Sequence, residues 1–327
     1  MDTNKLFTEF NSTIRLNTSK VKWLRKSRQA LRDKISKHFK ENNWGSPTFY
    51  SQGSFSLETN LNPIKVETPD GEIKEPYDLD DGVYFSRSEA DRKLPATYHS
   101  RIMKAVKDHA ESEEDKTTCV RVVFKDGHHI DLPSYWLEEE GDIPQLAHTA
   151  KGFIESDPKA FKVWVDSKIS TAASNGQLRR VIRYLKAWKN FRETKNSSLR
   201  LPSGFILTIL ACNFFSKNDR DDLSLKKTVE NIEEALRNSF TCYRPTVPTD
   251  EELLSGYTVD TVLTRLSRLL ENAEKAIDAE SAKEASEYWR KELGERFPMG
   301  KEKDDASRGT KNSVILTTPV SKPFGYD

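Results

Sequence analysis

Two carboxylate-bearing segments hold the residues best placed to do chemistry in this chain. The first reads Tyr77-Asp78-Leu79-Asp80-Asp81-Gly82-Val83-Tyr84-Phe85. Side chains of an extended strand alternate between its faces, so Asp78 and Asp80 share one face while Leu79 points into the core. Carboxylates set side by side repel and disfavour a strand, and a divalent cation taking their oxygens is the simplest compensation. A solvated acidic turn and a calcium loop are the competing readings. The calcium loop would use Asp78, Asp80 and Glu89 but fails at its sixth position, where Val83 stands instead of glycine. The second segment is His128-His129-Ile130-Asp131-Leu132-Pro133. Ile130 and Leu132 share one face, which leaves His129 and Asp131 on the other. A third carboxylate from such a neighbouring strand can complete a site for two metals, about 3.5–4 Å apart, that supports in-line attack at phosphorus. Adjacent histidines point oppositely, so the pair cannot serve one metal, and a surface position is expected for both.

Gln52-Gly53-Ser54 follows a short β-rich stretch. Glycine lets a backbone come close to a ligand, and the serine adds N–H and hydroxyl donors suited to phosphate; a plain turn uses the same residues. Further on, Leu178, Val181, Ile182, Leu185 and Trp188 form an apolar helical stripe, with Arg179, Arg183, Lys186 and Asn190 stepping along another face. Ser203, after Pro202 and before an apolar run, reads as a helix N-cap, and the same helix end can receive phosphate oxygens.

The elements that must position these residues fall into three parts. Val21, Leu24, Arg28, Leu31, Ile35 and Phe39 mark one long helix from Thr18 to about Asn42. Short β-rich stretches follow at Thr48–Gln52, Tyr77–Phe85, Thr117–Phe124 and His128–Leu132, with Asp126-Gly127 as a hairpin turn and a helix over Arg101–His109. After Ile169 the period is helical again, through Gln177–Glu193, Ser203–Phe215, Ser224–Asn238 and Thr258–Ala279. With a linker and tail added to these three, the expected organisation is 1–44, a long N-terminal helix packed across both lobes; 45–168, an α+β core; 169–300, a helical lobe; and 301–327, the linker and tail.

Charge is sorted rather than unbalanced. The formal net charge is only +1, yet ten basic residues and one acid lie between Arg15 and Lys40, and seven basic residues and one acid between Arg179 and Lys195. Such sorting suits an anionic partner on one side, or simply solvated helix faces. Three scattered cysteines argue against a disulfide framework or zinc knuckle, and a reducing cytoplasm fits them. The longest apolar run, Phe205–Cys212, is too short to cross a bilayer, so no membrane association is expected.

Each segment is weak alone, but their order is specific: Gly-Ser, about twenty-five residues, a paired-aspartate strand, then a lone strand aspartate. In QGSFSLETNLNP, PYDLDDGVYF, HHIDLPSYW and RRVIRYLKAWKN the chain resembles the bacterial CD-NTases (cGAS/DncV-like nucleotidyltransferases) of the polymerase-β-like superfamily, and most of all their DncV branch. The similarity runs from about Ser51 to Phe215. The resemblance implies an α+β fold, a polymerase-β-like nucleotidyltransferase core with a mixed β-sheet, a long N-terminal helix and a C-terminal helical lobe. It implies that Asp78, Asp80 and Asp131 hold two magnesium (or manganese) ions, with Asp81 turned away from them. It implies that Gln52, Gly53 and Ser54 hold a donor triphosphate, that Lys186 contacts it, and that Arg121 reaches a base or phosphate; a salt-bridged Arg121 fits the sequence equally. The implied activity is template-independent joining of nucleoside triphosphates, ATP or GTP among them, into a cyclic di- or trinucleotide. That product would be sensed by a separate effector in anti-phage defence, with an operon-encoded regulator acting on the tail. Two alternatives are an RNA-stimulated or RNA-tailing transferase and a non-catalytic nucleic-acid-binding module. Direct nucleic-acid binding is not expected, and the presence of all three aspartates speaks against a silent copy.

Overall fold

The first 41 residues form two helices rather than one. In the computed structural model, which describes residues 1–67, 70–172 and 174–302, α1 (Asn4–Ile14) precedes α2 (Thr18–Glu41). Phe7, Phe10 and Ile14 lie on one face of α1 and are fully buried among the C-terminal helices. The Phe7 ring meets Tyr184, Trp289 and Phe297 edge-on at 4.8–5.0 Å. α2 starts where the Asn17 side chain accepts the Lys20 N–H at 2.8 Å, an N-cap. It buries Leu24, Leu31, Ile35 and Phe39 in a different core, against the sheet. The N-terminal segment thus reaches both lobes by splitting, one helix to each. The polar residues Thr8, Glu9, Asn11, Ser12 and Thr13, interspersed with the stripe, hide the three apolar positions of α1 from a reading of periodicity.

The sheet is built around one strand. After β1 (Thr48–Gln52), the single turn α3 (Gly53–Ser56) and the small pair β2 (Val66–Glu67) and β3 (Ile73–Lys74), the chain enters β4 (Asp78–Ser86). Next come α4 (Pro95–Val106), β5 (Ser112–Asp115), β6 (Val120–Val123), β7 (His129–Leu132), β8 (Ser134–Leu137), β9 (Gln145–His148) and β10 (Gly152–Glu155). β4 pairs antiparallel with β1 along one edge; along the other it runs parallel first to β7 and then to β8. Pro133 separates those two, and its carbonyl accepts the Val83 N–H at 2.8 Å. The sheet forks there, β7 continuing to β6 and β5, β8 to β9 and β10. The mixed sheet and α+β class are therefore present as the sequence implies. His128, expected on the surface, is buried: its ring stacks on Phe124 at 4.2 Å, with Asp126 on Nδ1 and the Ser27 hydroxyl 3.1 Å from Nε2. An imidazole with an aromatic face and partners for both nitrogens loses little on leaving water.

The helical lobe contains α5 (Pro158–Ala172), α6 (Gln177–Lys195), α7 (Gly204–Phe214), α8 (Asp221–Asn238), α9 (Val259–Asp278) and α10 (Ala282–Leu293). It begins at Pro158 rather than at 169, because Phe161 and Val165 of α5 bury in its core. The expected linker and tail lie outside the described residues beyond Glu302. Among the described residues no helix is long and apolar enough to cross a membrane.

Alternation along β4 sends Leu79, Asp81, Val83 and Phe85 toward α2, and Asp78, Asp80, Gly82 and Tyr84 to the opposite face. Asp81 is consequently a carboxylate with no exposure, in an otherwise apolar interface. Arg32 of α2 grips it with two bonds of 2.5 and 2.6 Å, and the Ser51 hydroxyl donates to it at 2.8 Å. Removing one partner of such a pair strands the other charge, which costs about 3–5 kcal/mol. Arg32→Ala should lower the urea midpoint by that equivalent, whereas a loss below about 0.5 kcal/mol would mean that the pair does not fasten α2 to the sheet.

Candidate active site

The register of β4 assembles the site. Asp80 lies opposite Gln52 of β1 on one side and opposite Asp131 of β7 on the other, while Asp78 faces His129. Asp131 in turn lies opposite Arg121 of β6. The two acidic segments are thus joined by backbone pairing, on the sheet face turned from α2.

Between this face and the helical lobe opens a cleft of about 860 Å³, a volume in the range of small-ligand sites. Gln52, Gly53, Ser54, Asp78, Asp80 and Lys186 all line it, as do Gly204, Phe205, Arg200 and Arg244. Asp131 and Arg121, both partly exposed, are not among its lining residues. Ser203 is one residue outside it, and its hydroxyl accepts the Ile206 N–H at 3.3 Å, so its observed work is to cap α7.

Gly53 is at the closest approach. Its φ is +63°, and a Cβ there would stand 2.0 Å from the Asp80 Oδ2. Only glycine brings the loop against that carboxylate without displacing it. Ser54 accepts a hydrogen bond from the Asn60 amide at 2.9 Å. Gln52 donates to the Tyr135 hydroxyl at 2.9 Å, and the Tyr135 ring stacks on Tyr84 at 4.7 Å. A side chain on Gly204 would come within 2.9 Å of the Lys186 Cε, so the bare backbone of α7 admits the lysine to the cleft.

The electrostatics show an unfinished charge balance. Burial, and then the carboxylates of Asp78 and Asp131, push the Asp80 carboxyl up to about 8. Burial lowers the Lys186 ammonium to about 8, although Asp78 and Asp80 oppose the shift. Its Nζ donates to the Thr59 carbonyl at 3.1 Å. Asp131 takes another partner: Arg121 binds it through two 2.8 Å bonds, and this pairing raises the Arg121 guanidinium. Arg121 here is the salt-bridged arginine of the two alternatives. Burial and the Arg121 charge lower the His129 imidazole beside them.

Among the described residues no three His, Cys, Asp or Glu side chains are already drawn around one point. Arg121 pairs with Asp131, while Lys186, and after it Arg121, partly offsets the charge at Asp80. The donor set still suits a hard divalent cation, since it consists of carboxylate oxygens on paired strands beside a carboxyl that resists ionisation alone. Sequence reasoning passed over Thr59, Asn60, Tyr135, Arg200 and Arg244. The first two act through a backbone carbonyl and a buried amide, and no spacing pattern marks such roles.

Comparison with known proteins bears on the fold that carries this cleft. Residues 47–135 match the family model described as "Cyclic GMP-AMP synthase DncV-like, nucleotidyltransferase domain". A cyclic GMP-AMP synthase of Escherichia albertii is 24% identical over 226 residues, which is 65% of this chain but only 48% of that protein. The matched stretch thus spans about half the length of that curated relative. The crystal structure of Vibrio cholerae DncV cyclic AMP-GMP synthase with nonhydrolyzable GTP superposes with a TM-score of 0.76 at 18% identity, covering 91% of this chain and 97% of that one. CdnC of E. coli MS115-1, in complex with a HORMA protein, gives a TM-score of 0.70 at 16% identity, with 90% and 98% covered. The chain therefore carries a DncV-like nucleotidyltransferase domain and has the fold of the CD-NTases of the DncV branch.

Proposed function

We propose that the protein is a template-independent nucleotidyltransferase that joins nucleoside triphosphates into a cyclic di- or trinucleotide. The observation that carries this reading is the in-register placement of Asp78, Asp80 and Asp131 beside the Gly53 approach and the Lys186 ammonium. In the reaction an acceptor ribose hydroxyl loses its proton and its oxygen attacks the α-phosphorus of a donor. The bond to the β-phosphate oxygen breaks, and pyrophosphate leaves. Repetition within the linear product, using its own terminal triphosphate, closes the ring.

Each residue has a part. Gly53 and Ser54 offer N–H and hydroxyl donors to the donor triphosphate at the cleft wall, with Gln52 setting the loop through Tyr135. Lys186 reaches the same phosphates as a point charge. Asp78, Asp80 and Asp131 would hold two magnesium ions, and Arg121, the present partner of Asp131, would meet a phosphate or base. Bound there, such ions supply charge to acidify the acceptor hydroxyl and to neutralise the departing pyrophosphate. Positioning and charge compensation otherwise account for the rate.

The cellular role, a cytoplasmic enzyme of anti-phage defence whose product is read by a separate effector, rests on the sequence resemblance, and the HORMA complex of a similar protein supports a regulatory partner. The choice of ATP and GTP as substrates rests on the same likeness.

Magnesium and labelled nucleoside triphosphates, offered singly and in pairs, test the reaction directly. Small phosphatase-resistant product is expected, and Asp78→Ala with Asp80→Ala should reduce it at least about 1,000-fold. A ladder on added RNA would instead establish tailing, and undiminished turnover in the double variant would remove the aspartates from the mechanism.

Asp80 also imposes a pH dependence on the metal-free protein. Its folded value of about 8 lies above the unfolded value of about 3.9. The native state therefore binds the extra proton, and stability falls as pH rises from about 4 to about 8. At pH 8.5 without metal, Asp80→Asn should melt at least about 3 °C above wild type and lose the stabilisation that magnesium gives wild type. Equal melting temperatures would show that Asp80 carries no repulsive charge.

A further inference from the structure

Asn60 is buried behind the cleft wall rather than exposed in it. Its amide nitrogen donates to the Ser54 hydroxyl oxygen at 2.9 Å and to the Asp78 backbone carbonyl at 3.2 Å. Both N–H groups are thereby used, one on the phosphate-facing loop and one on the carboxylate-bearing strand. The residue before it is tied as firmly: Thr59 has no exposure, its N–H donates to the Ser54 carbonyl at 2.9 Å, and its own carbonyl holds the Lys186 ammonium.

The direction of the Ser54 bond matters. A hydroxyl has one hydrogen and two lone pairs. Because Ser54 accepts from Asn60, its hydrogen is free to donate elsewhere, and Ser54 lines the cleft. We infer that Asn60 is a positioning residue that fixes Ser54 as a hydrogen-bond donor to the bound triphosphate and holds that donor in register with Asp78. This rests on the nucleotide-binding reading above and adds a polarity to it. Asn60 touches no nucleotide; it acts through Ser54.

The isosteric change Asn60→Asp tests the direction of the bond. A carboxylate can only accept, so Ser54 would turn its hydrogen to residue 60 and present lone pairs to the phosphate. The readout is the dissociation constant of a nonhydrolysable ATP analogue with magnesium, measured by calorimetry on the full chain. Asn60→Asp should weaken binding about 10-fold or more in the wild-type background, the loss of about one charge-assisted hydrogen bond. In the Ser54→Ala background it should change binding less than about 2-fold, because the hydroxyl it misdirects is gone. Asn60→Ala, which frees Ser54 without reversing it, should have an intermediate effect that also disappears with Ser54→Ala.

Equal penalties in both backgrounds would overturn the inference, since a new negative charge or a general loosening of the loop does not need Ser54. Unchanged binding in Asn60→Asp and Asn60→Ala would overturn it as well. If wild type binds no triphosphate analogue, the proposed function itself fails. Thermal melting of each variant shows that it is folded, and where Asn60→Asp does not fold, Asn60→Ala decides.

Discussion

Three carboxylates on neighbouring strands repel, and the fold brings them together regardless. The backbone ladder leaves no alternative: once β1, β4 and β7 pair in register, Gln52, Asp80 and Asp131 lie abreast. Packing of the opposite face of the sheet makes the register costly to shift. A one-residue slip would carry Leu79, Val83 and Phe85 out of the apolar core and put Asp78 and Asp80 into it. The electrostatic cost at the site is thus sustained by burial on the other side of the same strand.

That opposite face contains a charge of its own. Asp81 lies among apolar residues, and its Arg32 partner comes from α2. The successive acids of β4 therefore have separate tasks. Asp78 and Asp80 share a cleft-lining face on which burial and neighbouring carboxylates make Asp80 resist ionisation, whereas Asp81 is fully matched and fastens a helix. Polarity alone does not distinguish them; the partner that each face supplies does.

Much of this was legible in the sequence. Alternation in β4 and β7 separates Asp78, Asp80 and Asp131 from their apolar neighbours, and the stripes of α2 and α6 are long enough to read. The Gly-Ser pair is readable only in combination, because the carboxylate that requires a glycine there, Asp80, lies twenty-seven residues further along the chain and reaches Gly53 only through the sheet. α1 is hidden by its polar neighbours. The segment Glu58–Thr59–Asn60 is hidden for a different reason: much of its work is done by main-chain carbonyls, which every residue has. Glu58 offers its carbonyl to Arg183 at 2.7 Å, Thr59 to Lys186, and Asn60 to the Leu16 N–H at 3.3 Å. A strap made of backbone acceptors leaves no compositional trace.

The division of the N-terminal segment between two cores binds the protein's architecture topologically. Three residues, Arg15 to Asn17, connect a helix embedded in one body to a helix embedded in the other, and an antiparallel bridge joins Arg15 to Leu61 beside the strap. The chain crosses between the same two bodies a second time where β10 passes into α5, and Ser156 and Asp157 of that crossing line the cleft. Bodies joined by two short links can turn against each other only about the line through both, so the cleft wall at Ser156 and Asp157 travels least.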